Sequence, residues 1–224
     1  MSRTGTYLAA TAVAVAWVGV AQAATVDLEY QGATMWGTPD WHQGTSVTLH
    51  GQTWQPVLAG VIRLKDAVTN SPLITFCLDV TTWIGDPPGP YRVAANLLDG
   101  TALQQVQALF DTAYAGVSNA ATAAGFQMAL WEIVNEADGN PLDIRSGDFH
   151  VSGSAAAMAH ATGYLAGLGA SAPPRYVLTY LESLSNTPGI GQDLVAVAPI
   201  PLPATALLLG GAMAGMGFMR RRRA

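Results

Sequence analysis

One cysteine, Cys77, stands in 224 residues, so the chain can form no internal disulfide and no cysteine-rich zinc site. Charge is scarce too: 11% of residues are Asp, Glu, Lys or Arg, against 50% apolar. That balance fits neither a solvated disordered chain nor a coiled coil. Basic residues are rarest in the middle. Between Ala24 and Pro203 fifteen Asp and Glu face five Lys and Arg, a net of −10. With no basic patch to neutralise phosphates, nucleic acid is disfavoured as a partner. The four histidines, His42, His50, His150 and His160, are scattered without metal-ligand spacing. Asp138, Gly139, Asn140 and Asp143 do not complete a calcium loop and read as a turn. No nucleophile elbow, glycine-rich phosphate loop or carboxylate pair stands out, so the sequence predicts no enzyme, no metal and no cofactor.

The two ends have their own character. Arg3, an apolar run over 7–20 and the small-x-small triplet Ala21-Gln22-Ala23 predict a cleaved signal peptide over 1–23. Residues 204–219 carry no charge and are followed by Arg220 to Arg223. As a helix this run predicts a short transmembrane segment with its arginines on the cytoplasmic side. Three domains follow: 1–23, an exported body over 24–198, and a tail over 199–224.

The body predicts an α+β fold, a mainly antiparallel β core (barrel or sandwich) with a helical insertion packed on it. Strands are expected within 27–43 and over 46–50, 54–64, 73–80, 175–182 and 194–197, with a Gly/Pro turn over 85–90. Helices are expected over 101–115 and 120–137, and a third, capped by Ser152 or Ser154, to about residue 168. At 100° per residue the second helix puts Gln127 in an apolar stripe with Ala123, Ala124, Leu130 and Trp131, and Glu132 and Glu136 on the other side. A buried amide needs a partner, which a nearby backbone would supply. Period two separates Phe76 from Cys77, whose sulfur is then expected to face the helical cover. A buried unreactive thiol, an intermolecular disulfide and a derivatised sulfur are all consistent with one cysteine.

Two resemblances add to this reading. Ile200-Pro201-Leu202-Pro203-Ala204, the apolar run and the arginine cluster resemble the VPLPA variety of PEP-CTERM sorting signal, with isoleucine where valine is usual. The resemblance implies processing by signal peptidase and an exosortase. It also implies passage through the inner membrane, and a mature body that is periplasmic, at the cell surface or secreted. Phe76-Cys77-Leu78-Asp79 and the stretch from Phe126 through Gln127, Ala129 and Trp131 to Ile133 resemble the paired motifs of bacterial Cys–Gln thioester domains, the TQxA family, with Phe126 where threonine is usual. That implies an internal thioester between Cys77 and Gln127 that forms a covalent bond to a nucleophile on a surface protein or polysaccharide. Phe126, Trp131 and Trp83 would wall the pocket, and His150 or His160 would serve as base. The competing reading is a non-covalent structural or carbohydrate-binding module of the polysaccharide matrix, with Trp36, Trp41 and Trp54 exposed for sugar stacking.

Overall fold

The computed structural model describes residues 24–200, apart from Asn96, Asp99, Ala137, Asp138 and Ser171. Among the described residues nine strands and three α-helices make two sheets and a helical layer. The strands are β1 (Thr25–Tyr30), β2 (His42–Leu49), β3 (Gln52–Gly60), β4 (Ile62–Asp66), β5 (Pro72–Cys77), β6 (Pro90–Ala94), β7 (Phe149–Ser152), β8 (Tyr176–Ser183) and β9 (Leu194–Pro199). The helices are α1 (Gly100–Ala113), α2 (Ala120–Asn135) and α3 (Ala155–Ala166). Six strands close an antiparallel barrel in the order β1-β4-β5-β9-β8-β6, and β3-β2-β7 form a separate three-stranded sheet. Of the two expected β architectures the barrel is the one formed, with the helical insertion packed on it.

The run 54–64, expected as one strand, is divided between the two sheets. Gly60 still pairs with His42 in the small sheet, whereas Ile62 pairs with Thr75 in the barrel. A Cβ on Gly60 would collide with the Trp41 carbonyl, so only glycine permits the crossing. The short strands β6 and β7 were not foreseen. β6 follows the Gly/Pro turn directly and closes the barrel between β1 and β8.

Helix α2 is the central element. The Asn119 side chain accepts the backbone N–H groups of Ala121 and Thr122, both at 3.0 Å, and Thr122 Oγ1 accepts the Asn119 N–H in return. This capping box fixes the start of the helix. Every residue from Thr122 to Ile133 is buried, because α1, α3, β3, β2 and β7 surround it. Glu132, on the side of α2 opposite the apolar stripe, is buried as well, and the Asp143 N–H of the loop before β7 donates to it at 2.6 Å.

The terminal readings are corrected. Among the described residues no helix is long and apolar enough to cross a membrane. The chain from Leu194 to Pro199 is a barrel strand, and the Ile200 N–H donates to the Arg175 carbonyl at 2.9 Å. The first residue of the expected sorting motif therefore borders the barrel edge. The signal helix over 1–23, Pro201 to Ala204 and the segment 204–219 lie outside the described residues. The transmembrane sorting helix, its inner-membrane intermediate with cytoplasmic arginines, and processing by exosortase and signal peptidase find no support in the fold.

Candidate functional site

Cys77 is the last residue of β5 and is 4% exposed. Period two does separate it from Phe76, but the two faces are exchanged relative to expectation. Phe76 packs against Phe110, Tyr114 and Phe126, with ring centroids 5.7, 6.0 and 4.8 Å apart. The aromatic face thus meets the helices, since that is where the larger apolar surface is buried. The Cys77 thiol lines a pocket of about 510 Å³ between the barrel end and the small sheet.

Gln127 reaches Cys77, though through its backbone. The Cys77 N–H donates to Gln127 Oε1 at 2.9 Å, and Gln127 Nε2 donates to the Cys77 carbonyl at 2.8 Å. The register explains why. Continuing the β4–β5 ladder would put Cys77 opposite Gly60, which has already left for the small sheet. The peptide groups of Cys77 lose their strand partner there, and the Gln127 amide takes its place as a side-chain peptide mimic. Both ends of that amide are occupied, which is the backbone partnership a buried glutamine requires.

A different amide meets the sulfur. Cys77 Sγ donates to Gln192 Oε1 at 2.9 Å, and Gln192 Nε2 donates to the Asp79 carbonyl. Gln192 is 7% exposed and stands just before β9, where Leu194 pairs with Cys77. The loop before it is tied to Trp83 by bonds from Trp83 N–H to the Gly189 carbonyl (2.9 Å) and from Gly191 N–H to the Trp83 carbonyl (2.7 Å). Gly191 has φ +111°, and a Cβ on it would come within 2.6 Å of Ser185 Cβ. Glycine is required there, and it sets the direction in which Gln192 enters the pocket. On the other side Asp79 holds the turn after β5, accepting from the Thr81 N–H at 2.6 Å and from the hydroxyls of Thr81 (2.7 Å) and Thr82 (2.5 Å).

The pocket walls are apolar and aromatic: Trp36, Trp54, Trp83, Trp131, Ile62 and Ile84 all contribute. Trp131 and Trp83 were foreseen as wall residues and line the pocket, Trp83 at its outer edge with 53% exposure. Phe126 is instead in the aromatic cluster behind Cys77. Trp36, expected to be exposed for sugar stacking, is 7% exposed and stacks on His42. No histidine lines the pocket: His150 is on β7, and His160 on α3 stacks on Tyr164. Burial, with the Asp79 charge adding to it, pushes the Cys77 thiol well above its ordinary range, so the sulfur keeps its proton and donates it. Tyr30, whose hydroxyl donates to the Gly85 carbonyl, is pushed up to about 12 by burial first, then by Asp86 and Cys77. Among the described residues no group of three His, Cys, Asp or Glu side chains could hold a metal ion.

Gln192 escaped the sequence reading. Its only local signal is a glutamine directly after the Gly189-Ile190-Gly191 turn, at the head of an apolar strand. Its separation from Cys77 by 115 residues gives sequence spacing nothing to work with. Compared with known proteins, the chain matches no family model, no curated protein and no solved structure. What the site itself presents is a buried thiol in hydrogen-bonding contact with a glutamine amide.

Proposed function

We propose that Cys77 and Gln192 close an internal thioester, and that the domain uses it once to bond covalently to a nucleophile on a partner. The observation that carries the reading is the 2.9 Å contact of Cys77 Sγ with Gln192 Oε1. The carbonyl carbon is one bond beyond that oxygen, so the sulfur and the acyl carbon are near neighbours, and closure needs the Gln192 side chain to shift toward Cys77. In closure the S–Cδ bond forms, the Cδ–Nε2 bond breaks, and the amide nitrogen leaves as ammonia with the thiol proton. In use, a partner amine or hydroxyl adds to Cδ and the C–S bond breaks. The thiol regains a proton, and Gln192 is left as an amide or ester cross-link. Each molecule reacts once, so the domain is a covalent binder without turnover. Gln127 holds the strand end that presents the sulfur, and the tryptophan walls keep water from the acyl group.

Intact mass spectrometry tests this. The purified protein should be lighter than its sequence by one ammonia and should lack a free thiol. Cys77→Ala and Gln192→Ala should each abolish the deficit. An undiminished mass together with a thiol that is alkylated in the unfolded chain would rule the reading out.

A further inference from the structure

Five buried side-chain atoms among the described residues have no hydrogen-bond partner: Tyr91 Oη, Trp131 Nε1, Glu132 Oε2, His150 Nδ1 and Tyr180 Oη. Only Trp131 of these five residues lines the pocket that Cys77 and Gln192 share. Trp131 is 1% exposed. A buried N–H left without an acceptor costs about 1–3 kcal/mol, which a free choice of core residue would avoid.

Trp131 is also held in place relative to the reacting atoms. It follows Gln127 by four residues on α2, so the two side chains share one helix face. Gln127 is fixed to the Cys77 backbone by bonds of 2.9 and 2.8 Å. The indole is thus carried by the same helix turn that anchors the sulfur's own strand.

Closing the thioester changes the hydrogen-bond inventory of the pocket. Before closure Gln192 Oε1 accepts from the Cys77 S–H, and Nε2 donates to the Asp79 carbonyl. Closure removes that S–H and releases Nε2 as ammonia. The carbonyl oxygen then loses its S–H donor, and it gains negative charge whenever a nucleophile adds to Cδ. We propose that the Trp131 indole N–H is the oxyanion donor of this site, accepted by the Gln192 carbonyl oxygen in the closed thioester and in the tetrahedral intermediate of its opening. The inference rests on the Cys77–Gln192 reading. It explains why the thiol form holds an indole N–H without an acceptor: the Gln192 oxygen is engaged by the Cys77 S–H until the reaction frees it.

The test uses Trp131→Phe, which keeps an aromatic ring and removes the N–H. Methylamine is the probe, and the loss of the thioester mass signature is followed over time. Loss of one preorganised oxyanion donor is expected to slow aminolysis by about 10²-fold. The thioester carbonyl stretch, read by infrared spectroscopy with labelled glutamine, should move to higher frequency in the variant, a change that looser packing alone would not produce. A second measurement needs no variant at position 131. The Trp131 indole proton should resonate further downfield in the closed wild-type protein than in Cys77→Ala, and return after methylamine opens the ring. Wild-type aminolysis in Trp131→Phe would overturn the proposal, and so would an indole resonance indifferent to closure; the latter decides the matter if the variant does not fold. An ammonia deficit present in the wild type with either of these results sinks the oxyanion role alone. Absence of the deficit sinks the thioester reading beneath it.

Discussion

Replacing Gln127 with methionine separates the two glutamines by their tasks. The substitution keeps length and apolar volume but removes both bonds to the Cys77 backbone, which measure 2.9 and 2.8 Å. It leaves one N–H and one carbonyl at the end of β5 buried and unpaired, with Gly60 too far along its own sheet to replace the partner. At about 1–3 kcal/mol for each group, the loss is roughly 2–6 kcal/mol. In a domain of this size each kcal/mol moves the melting temperature by about 2–4 °C, so a fall of roughly 8–16 °C is expected from a mid-range loss. Scanning calorimetry reads the first effect and intact mass the second. Below its melting temperature Gln127→Met should still show some ammonia deficit, reduced in proportion to the displacement of the strand end. Gln192→Ala also loses buried hydrogen bonds, but at any temperature below its melting point it should show no deficit at all. The reverse pattern, a stable Gln127→Met without the deficit beside a Gln192→Ala that keeps it, would refute the assignment of clamp and acyl donor.

Three further outcomes follow from the packing and charges around the site. Burial, only partly opposed by the Asp143 N–H and reinforced by the Glu136 and Asp143 charges, lifts the Glu132 carboxyl to about 8. The folded state then holds a proton that the unfolded chain releases near pH 4.3, so stability falls as pH rises from about 4 through about 8. Glu132→Gln should flatten that slope and gain roughly 1–3 kcal/mol at about pH 9, with no gain near pH 4, in urea melts across pH. Gly125 marks the contact of α2 with α3, where a Cβ would stand 2.7 Å from the Ala157 carbonyl and from His160 Cβ. Gly125→Ala should cost about 1–3 kcal/mol by thermal melting, whereas Gly163→Ala, whose Cβ meets nothing, should gain up to about 1 kcal/mol. Asp111 accepts the N–H groups of Arg175 at 2.8 Å and Tyr176 at 3.2 Å, tying α1 to the start of β8. Asp111→Ala should cost about 2–3 kcal/mol, visible as a lower denaturant midpoint at unchanged slope, and Asp111→Asn should recover part of it.

How far the sequence reached depends on the range of the interaction involved. The order strands, helices, strands was legible because hydrophobic period and turn residues are local signals. The capping Ser154 is seen with its hydroxyl accepting the Ala157 N–H at 3.2 Å. The apolar stripe of α2 was legible, but that the opposite side is buried too was not: a helix surrounded on all sides buries its glutamate with its alanines. The split of 54–64 between two sheets was not legible, since both halves alternate as one strand would and only the collision at Gly60 distinguishes them. The terminal readings rested on apolar runs, flanking charges, a short cleavage pattern and resemblance, and the segments that carry them lie outside the described residues.

By itself the sequence determined that there is one thiol, that no internal disulfide can form, that the middle of the chain is acidic, and that Gln127 sits among apolar neighbours and must bond to something buried. Tertiary structure decided what each group touches. Gln127 completes the strand end because β4 stops two residues short of the position opposite Cys77, and Gln192 meets the sulfur because β9 lies beside β5 in the closed barrel. Strand register over 115 residues is fixed by the packing of the whole core, and no local pattern of side chains encodes it.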